Sequence, residues 1–553
     1  LCYTGQMIAD IHITEKSFGD KILMTNVAFS IDDGEKIGVV GRNGIGKSTL
    51  FGIMAGVDTD FGGEVVFRRG LVVAATMQEH HNLGDVSVMR YILRGLPEYT
   101  HLKDIIDTYP DKMGDNMRLI TEYTDALARF EQKGFYQIEE KIRRELDGFQ
   151  LSGLADRALS SLSGGQKRLI EIVKIMHSQA QLALIDEPTN HMDYVAKQQF
   201  IDWMKNAKEA MLIITHDRDV LKEVDRIIEI KDGTSVSYRG NYDAYLKQNA
   251  TQTAAGMNNF EQTEKRIANL RQKVLDYQRL KEKSRNPSTI QRFKRLEGAA
   301  RKELAELESV KRPSFWIDKE SVDTLNFKAT KQYDRFKAKN IRLNVRQNES
   351  RSKHVLMRAT DVAMGYGDKI LFEGVNIDLR EGESVELRGR NGAGKTTLIR
   401  ALLGLSGPVI YSGELFLDLQ VRVGIYEQEI NEKYLNQPLG EAIERVYLDR
   451  NLPVSETVIR QLCADYLFTD ADRTLPLARL SGGQKARFQI IGMLANDPQL
   501  LILDEPTNHL DLPSIEELEN ALAKYQGAIL YVSHDEYFRH KLGGEVVQIG
   551  LGG

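Results

Sequence analysis

The feature that most constrains this chain is that it is written twice. Gly41-Arg42-Asn43-Gly44-Ile45-Gly46-Lys47-Ser48 recurs as Gly389-Arg390-Asn391-Gly392-Ala393-Gly394-Lys395-Thr396. Ser163-Gly164-Gly165-Gln166 recurs as Ser481-Gly482-Gly483-Gln484, and Asp186-Glu187-Pro188-Thr189-Asn190-His191 as Asp504-Glu505-Pro506-Thr507-Asn508-His509. Lys47 and Lys395 lie 348 residues apart and Gln78 and Gln428 350, whereas Ser163 and Ser481, Glu187 and Glu505, and His216 and His534 are each 318 apart. The first copy therefore carries 32 extra residues between its glutamine and its Ser-Gly-Gly-Gln. They fall at about 97–135, where Leu119, Tyr123, Leu127 and Phe130 recur at helical spacing. That insertion is either an enlarged loop or an arm that touches a partner.

Within each copy, short apolar runs alternate with helical stretches, which predicts a mainly parallel α/β sheet. Strands are expected over Lys36–Val40, Leu182–Ile185 and Met211–Thr215, and again over Ser384–Leu387, Leu500–Leu503 and Ile529–Ser533. Across 553 residues, a 42% hydrophobic fraction is enough for several packed cores. No run of 18 apolar residues occurs, and Leu1 to Gln6 lack the pattern of a signal peptide. Two cysteines, Cys2 and Cys463, exclude a disulfide framework and suit a reducing, cytoplasmic compartment.

The pattern G-x-x-x-x-G-K-[ST] is a phosphate cradle, because glycines let backbone N–H groups turn inward and the following helix N-terminus adds positive potential. Gly41, Asn43, Gly44, Gly46 and Thr49 in the first copy, and Gly389, Asn391, Gly392, Gly394 and Thr397 in the second, belong to these loops. Lys47 and Lys395 are expected to reach β/γ-phosphates, and Ser48 and Thr396 to offer a hydroxyl to Mg²⁺. Asp186 and Asp504 end apolar strands, where a carboxylate orients Mg²⁺ and its waters, and Glu187 and Glu505 are candidate bases for the attacking water. His216 and His534 follow the next strand, each 29 residues after its glutamate, within reach of a γ-phosphate. Gln78 and Gln428 are expected to sense the metal or the attacking water.

These motifs, in this order, resemble the ATP-binding-cassette (ABC) ATPases over roughly 1–245 and 354–553. The resemblance implies two tandem P-loop ATPase domains that pack head to tail around two ATPs. Ser481, Gly482, Gly483 and Gln484 would then complete the Lys47–Glu187 site, and Ser163, Gly164, Gly165 and Gln166 the Lys395–Glu505 site. Phe18 and Tyr366 match the family's adenine-stacking aromatics. Both sites keep every motif residue, so both are expected to hydrolyse ATP.

What such a pair does depends on the stretch between the copies, 246–353. From Lys265 to Lys302, 13 Lys/Arg face Asp276, Glu282 and Glu297, a net of +10 in a chain of net charge −5. Ile267, Leu270, Val274 and Tyr277, then Phe293, Leu296, Ala300, Leu304 and Leu307, give seam-like spacings on either side of Arg285-Asn286-Pro287. The expectation is an antiparallel helical hairpin, restarted by a capping box at Ser288, with legs of about 30 residues and roughly 45 Å. One sign of charge concentrated near a tip suits a polyanion, and RNA read by shape and phosphate is the natural target. Lys281, Lys283, Arg285, Arg292, Lys294 and Arg295 are the candidate contacts.

Paired cassettes, the Asn-His-Met-Asp and Asn-His-Leu-Asp tails, Gly240-Asn241-Tyr242 and the basic hairpin together resemble the ABC-F family. Met192 stands where the family has Leu. This resemblance implies a cytoplasmic monomer that binds the E site of the 70S ribosome with ATP, directs its hairpin at P-site tRNA and the peptidyl-transferase centre, and leaves on hydrolysis. Housekeeping translation factors and antibiotic-protection factors both fit. A fused ATPase pair energising a membrane exporter, and a DNA-maintenance ATPase, are the competing classes.

Overall fold

The computed structural model describes residues 7–18, 21–76, 85–190, 192–309, 315–318, 321–322, 330, 333, 335–343, 345, 354–427 and 430–550. Two compact units result: Leu1–Tyr242 with Ile341–Gly553, and Asp243–Asn340.

The first unit holds both cassettes. Leu182–Asp186, Ala210–Ile214, Leu500–Asp504 and Ala528–Val532 are buried at every position. Short runs of that kind suit parallel strands covered on both faces. Alternate side chains then serve different cores. Leu182 and Leu184 join Ile11, Phe29 and Leu50, while Ala183 and Ile185 join Ile142, Ile172 and Phe200. In the second cassette Leu500 and Ile502 join Met357 and Phe372, while Leu501 and Leu503 join Ile443 and Ile490. Each parallel sheet is thus sandwiched between an antiparallel sheet and a helical layer.

The first parallel sheet runs Thr234–Arg239, Arg226–Lys231, Lys36–Gly41, Ala210–Ile214, Leu182–Asp186, Val73–Ala75, with only the first pair antiparallel. The second runs Val423–Tyr426, Leu500–Asp504, Ala528–Val532, Ser384–Arg388, Glu545–Gln548, all parallel. The strands before the histidines begin and end one residue earlier than the sequence suggests. The cause is local: Thr215 Oγ1 accepts from Asp217 N (3.0 Å) and Ser533 Oγ from Asp535 N (3.2 Å), so both hydroxyl residues open the next turn. The extra segment of the first cassette contains helices Tyr99–Thr108 and Met117–Gln132. They close over Tyr99, Phe130 and Phe135, whose rings meet at 5.2–5.6 Å.

The second unit is a hairpin with unequal legs. Tyr242–Lys283 is one helix of 42 residues, about 63 Å at the standard rise, and Pro287–Glu308 has 22. The first leg exceeds the expected 30 residues and the second falls short of it, and Gly256 lies inside the long helix. A Cβ there would lie 2.8 Å from Phe315 Cζ, so the glycine admits that ring. Asn286, not Ser288, caps the second leg: its Oδ1 accepts from Ser288 N at 3.0 Å, and Pro287 takes the first helical position. Leu270, Val274 and Ala300 form the seam, and Tyr277 stacks on Phe293 at 6.3 Å.

Leu296, counted into the seam from its spacing, is 36% exposed; Glu297, 7% exposed, takes the inward position. Lys281 from the opposite leg (2.7 Å) and Arg301 one turn on (2.9 Å) pair with it. The Lys281 hydrogen bond is the main reason its carboxyl lies below the usual range. Described residues of 315–340 pack on the long helix, where Asn249 Nδ2 donates to Trp316 O at 2.9 Å and Met257, Ile317, Tyr333 and Phe336 are buried together. Among the described residues, no helix is long and apolar enough to cross a membrane.

Candidate active site

Each glycine loop turns from its strand into a helix, Lys47–Met54 or Lys395–Leu402, through a left-handed glycine: Gly46 at φ 109° and Gly394 at φ 106°. The two are not equally tight. A Cβ on Gly46 would meet the flexible Met24 Cε at 3.1 Å, whereas on Gly394 it would lie 2.6 Å from Phe372 Cδ1. Gly394→Ala is therefore expected to cost about 1–3 kcal/mol in strain and clash and to weaken nucleotide binding more than Gly46→Ala. Thermal melts with and without ATP check this, and an equal or reversed ranking would refute it.

The lysines fold back over their loops. Lys47 Nζ donates to Gly41 O (2.6 Å) and Lys395 Nζ to Gly389 O (2.7 Å), and burial lowers the pKa of both. Ser48 Oγ donates to Asp186 Oδ2 and Thr396 Oγ1 to Asp504 Oδ2, each at 2.9 Å. A hydroxyl beside a carboxylate is the hard-oxygen set that Mg²⁺ takes together with waters and phosphate oxygens. Among the described residues no group of three His, Cys, Asp or Glu could hold a metal on its own. The donors present thus fit an ion carried largely by nucleotide and water.

Glu187 and Glu505 follow their strands in the left-handed region, at φ 49° and 51°. That conformation is costly for a non-glycine residue and turns the side chain off the strand into the cavity. Their amides bond to Ile214 O (2.8 Å) and Val532 O (3.0 Å) in the neighbouring strand. Burial first, then the adjacent Asp186, pushes the Glu187 carboxyl up to about 7. Burial raises Glu505 to about 7 as well, and Asp504 to about 6. His216 Nε2 is 3.5 Å from Glu187 and His534 Nε2 is 3.3 Å from Glu505. Burial, then Lys47 or Lys395, holds both rings down to about 3, so they are neutral near pH 7. Both ring nitrogens of His216 and Glu505 Oε1 lack a hydrogen bond, leaving polar atoms buried in the cavities for a ligand to meet.

The cavities are composite. One, about 440 Å³, is lined by Asn43, Gly44, Gly46, Lys47, Ser48, Thr49, Asp186, Glu187 and His216 of the first cassette and Ser481, Gly482 and Gly483 of the second. The other, about 800 Å³, is lined by Tyr366, Asn391, Gly392, Gly394, Lys395, Thr396, Thr397, Asp504, Glu505 and His534 of the second cassette and Ser163, Gly165 and Gln166 of the first. Ser163 and Ser481 cap the signature helices, Gly164–His177 and Gly482–Leu494, each in a reciprocal capping box. Gln484 is turned away; its Nε2 donates to Asp472 at 2.7 Å. Phe18 is 62% exposed and does not line the smaller cavity. Gln78 and Gln428 lie outside the described residues.

The seam between cassettes pairs residues of the two motifs in a way their spacing did not reveal. Asp511 Oδ2 accepts from Asn43 N (3.0 Å), and Asp193 Oδ2 from Asn391 N (3.1 Å). Asn43 Nδ2 also donates to His509 O at 2.7 Å. The two aspartates close the Asn-His-x-Asp tails, so the repeat itself was the available signal. Arg168, which donates to Asp186 O, has Ala486 as its counterpart and gave none.

Two P-loops, each facing the other cassette's signature, define a twin-cassette ATPase. Residues 24–190 and 372–508 match the sequence family described as "ABC transporter", and 228–320 match a second one with the same description. The chain is similar to Putative ATP-binding protein YdiF of Bacillus subtilis, 32% identical over 98% of this chain and 80% of that protein. It is 27% identical to the Energy-dependent translational throttle protein EttA of Mycobacterium tuberculosis (97% of this chain, 90% of that one). It is 29% identical to ABC transporter F family member 5 of Arabidopsis thaliana (97% and 74%). Among solved structures the RNase-L Inhibitor shares the fold, with TM-score 0.53 at 16% identity over 98% of this chain and 90% of that one. The chain belongs to the ABC-F family of ABC ATPases: it binds and hydrolyses ATP.

Proposed function

We propose that this ATPase is a nucleotide-gated ribosome factor. Two ATPs, each with Mg²⁺, bind in the composite cavities, with Ser48 and Asp186, and Thr396 and Asp504, as the protein's metal ligands. The glutamates act as bases and the neutral histidines contact the γ-phosphate. With ATP held between the cassettes the factor occupies the E site of the 70S ribosome. Its hairpin then meets P-site tRNA and rRNA near the peptidyl-transferase centre, modulating translation or displacing an antibiotic, and hydrolysis releases it.

The observation that carries this reading is the hairpin tip. Arg279 to Arg295 holds seven Lys/Arg against Glu282 alone. Lys283, Arg285, Arg292, Lys294 and Arg295 are all exposed and take part in no ion pair found among the described residues. Farther down the legs most of the basic residues are matched, as in Lys265–Glu261, Arg266–Glu303 and Arg271–Glu308. Unmatched cations clustered at a tip suit phosphate contact. A relative named for throttling translation supports the same partner.

The test is co-sedimentation of the Glu187→Gln/Glu505→Gln protein with 70S ribosomes. Binding in ATP and not in ADP is expected. Absence of binding in both nucleotides would discard the ribosome as partner and favour a membrane exporter or DNA.

A further inference from the structure

The two composite cavities are built alike, but the charged contacts beside them are not. Lys197 of the first cassette is 7% exposed, and its Nζ donates to the backbone carbonyl of His534 in the second at 2.8 Å. Asp219 (2.5 Å) and Asp217 (3.4 Å) hold the ammonium there. His534 N in turn donates to Glu505 Oε2 at 3.2 Å. One residue therefore links Lys197 to the glutamate of the second site. Beside this chain Arg218 forks onto Glu519 across the same seam, at 2.8 and 3.4 Å, with both side chains under 10% exposed. The Arg218 guanidinium and Lys222 ammonium also lie over the Tyr537 ring, at 5.0 and 4.5 Å.

The His216 amide bonds Glu187 in the same way, but among the described residues the cross-cassette contacts of Lys197 and Arg218 have no counterpart on the other side. The offset of 318 puts Ile515 opposite Lys197, Glu536 opposite Arg218 and Ile201 opposite Glu519. Isoleucine has no hydrogen to donate, so no side chain at position 515 can hold the His216 carbonyl. Buried charges persist only when paired. Arg218 and Glu519 find each other only when the cassettes are together, and the same closure delivers Lys197 to His534.

We infer that Lys197 is a positioning residue for His534 and Glu505, with Arg218–Glu519 as a one-sided latch, so that only the Lys395–Glu505 site has its switch histidine set by the opposite cassette. The test introduces Lys197→Met into Glu187→Gln protein, where turnover rests on Glu505, and into Glu505→Gln protein, where it rests on Glu187. The kcat loss is expected to be roughly tenfold greater in the first background, with KM for ATP changed by less than about twofold. Equal losses, or no loss in the first background, would overturn the inference.

Met leaves Asp217 and Asp219 without their cation, so the comparison is repeated with Lys197→Met/Asp219→Asn, for which the same ranking is expected. Should one Glu→Gln change silence both sites, ¹³C-histidine NMR of the Lys197→Met chain with ATP decides. The His534 ring signal shifts and that of His216 stays if Lys197 acts as argued. Both unmoved, or both moved alike, refutes it.

Discussion

Replacing Glu187 and Glu505 together by Gln will lower steady-state ATP turnover by at least about 10²-fold while leaving nucleotide binding in place. Glutamine keeps the shape of the side chain and loses only the capacity to take a proton from water. That capacity is tuned where it is needed: burial raises both carboxyls to about 7, so proton exchange near neutral pH is nearly balanced. The backbone holding each side chain in place, left-handed at φ 49° and 51° and bonded to the next strand, does not depend on the carboxylate. Phosphate release measures turnover and a fluorescent ATP analogue measures binding. Undiminished hydrolysis would remove both glutamates as bases. Abolished binding would mean that they hold the nucleotide.

Reversing Lys283, Arg285, Arg292, Lys294 and Arg295 to Glu will weaken ribosome binding by orders of magnitude and flatten its salt dependence. Every cation withdrawn from a phosphate takes about 0.7–0.9 off the slope of log K against log salt, so these five side chains together account for a change of about 4. Basal ATPase is expected to persist, because these residues are remote in sequence from every cassette motif. Lys281 is left intact in this variant: its ammonium is committed to Glu297 at 2.7 Å, and a carboxylate there would face a carboxylate. Sedimentation over a salt series reads the slope. An unchanged slope would show that the tip does not meet phosphate.

The cassettes were legible because their chemistry is local. A glycine loop, a strand ending in Asp-Glu and a capping Ser-Gly-Gly-Gln each occupy a few consecutive residues, and the repeat confirmed the order. What escaped depends on distance in the chain. Lys197 looks like any helical lysine until His534, 337 residues away, supplies its carbonyl. Asp193 and Asp511 were visible as tails, but their partners lie in the other cassette. Spacing alone placed Leu296 in the hairpin seam, where the two ion pairs of Glu297 settle the register instead. Thr215 and Ser533 read as strand residues because each directly follows an apolar run, whereas its hydroxyl accepts the amide two residues on and opens the turn.

Glu297 carries a consequence for how this protein can diversify. Leu270, Val274 and Ala300 are near-interchangeable apolar knobs, and a zipper of such residues alone could slide by a turn. An acid clamped from both legs works as an alignment pin, since any slip pulls it from Lys281 into an apolar slot. The three residues between the legs, Ser284 to Asn286, are thereby relieved of setting the alignment. Ser284 and Arg285 can vary without unthreading the stem, while Asn286 stays as the cap of the second leg. A stem pinned from within keeps its register whatever side chains its tip presents.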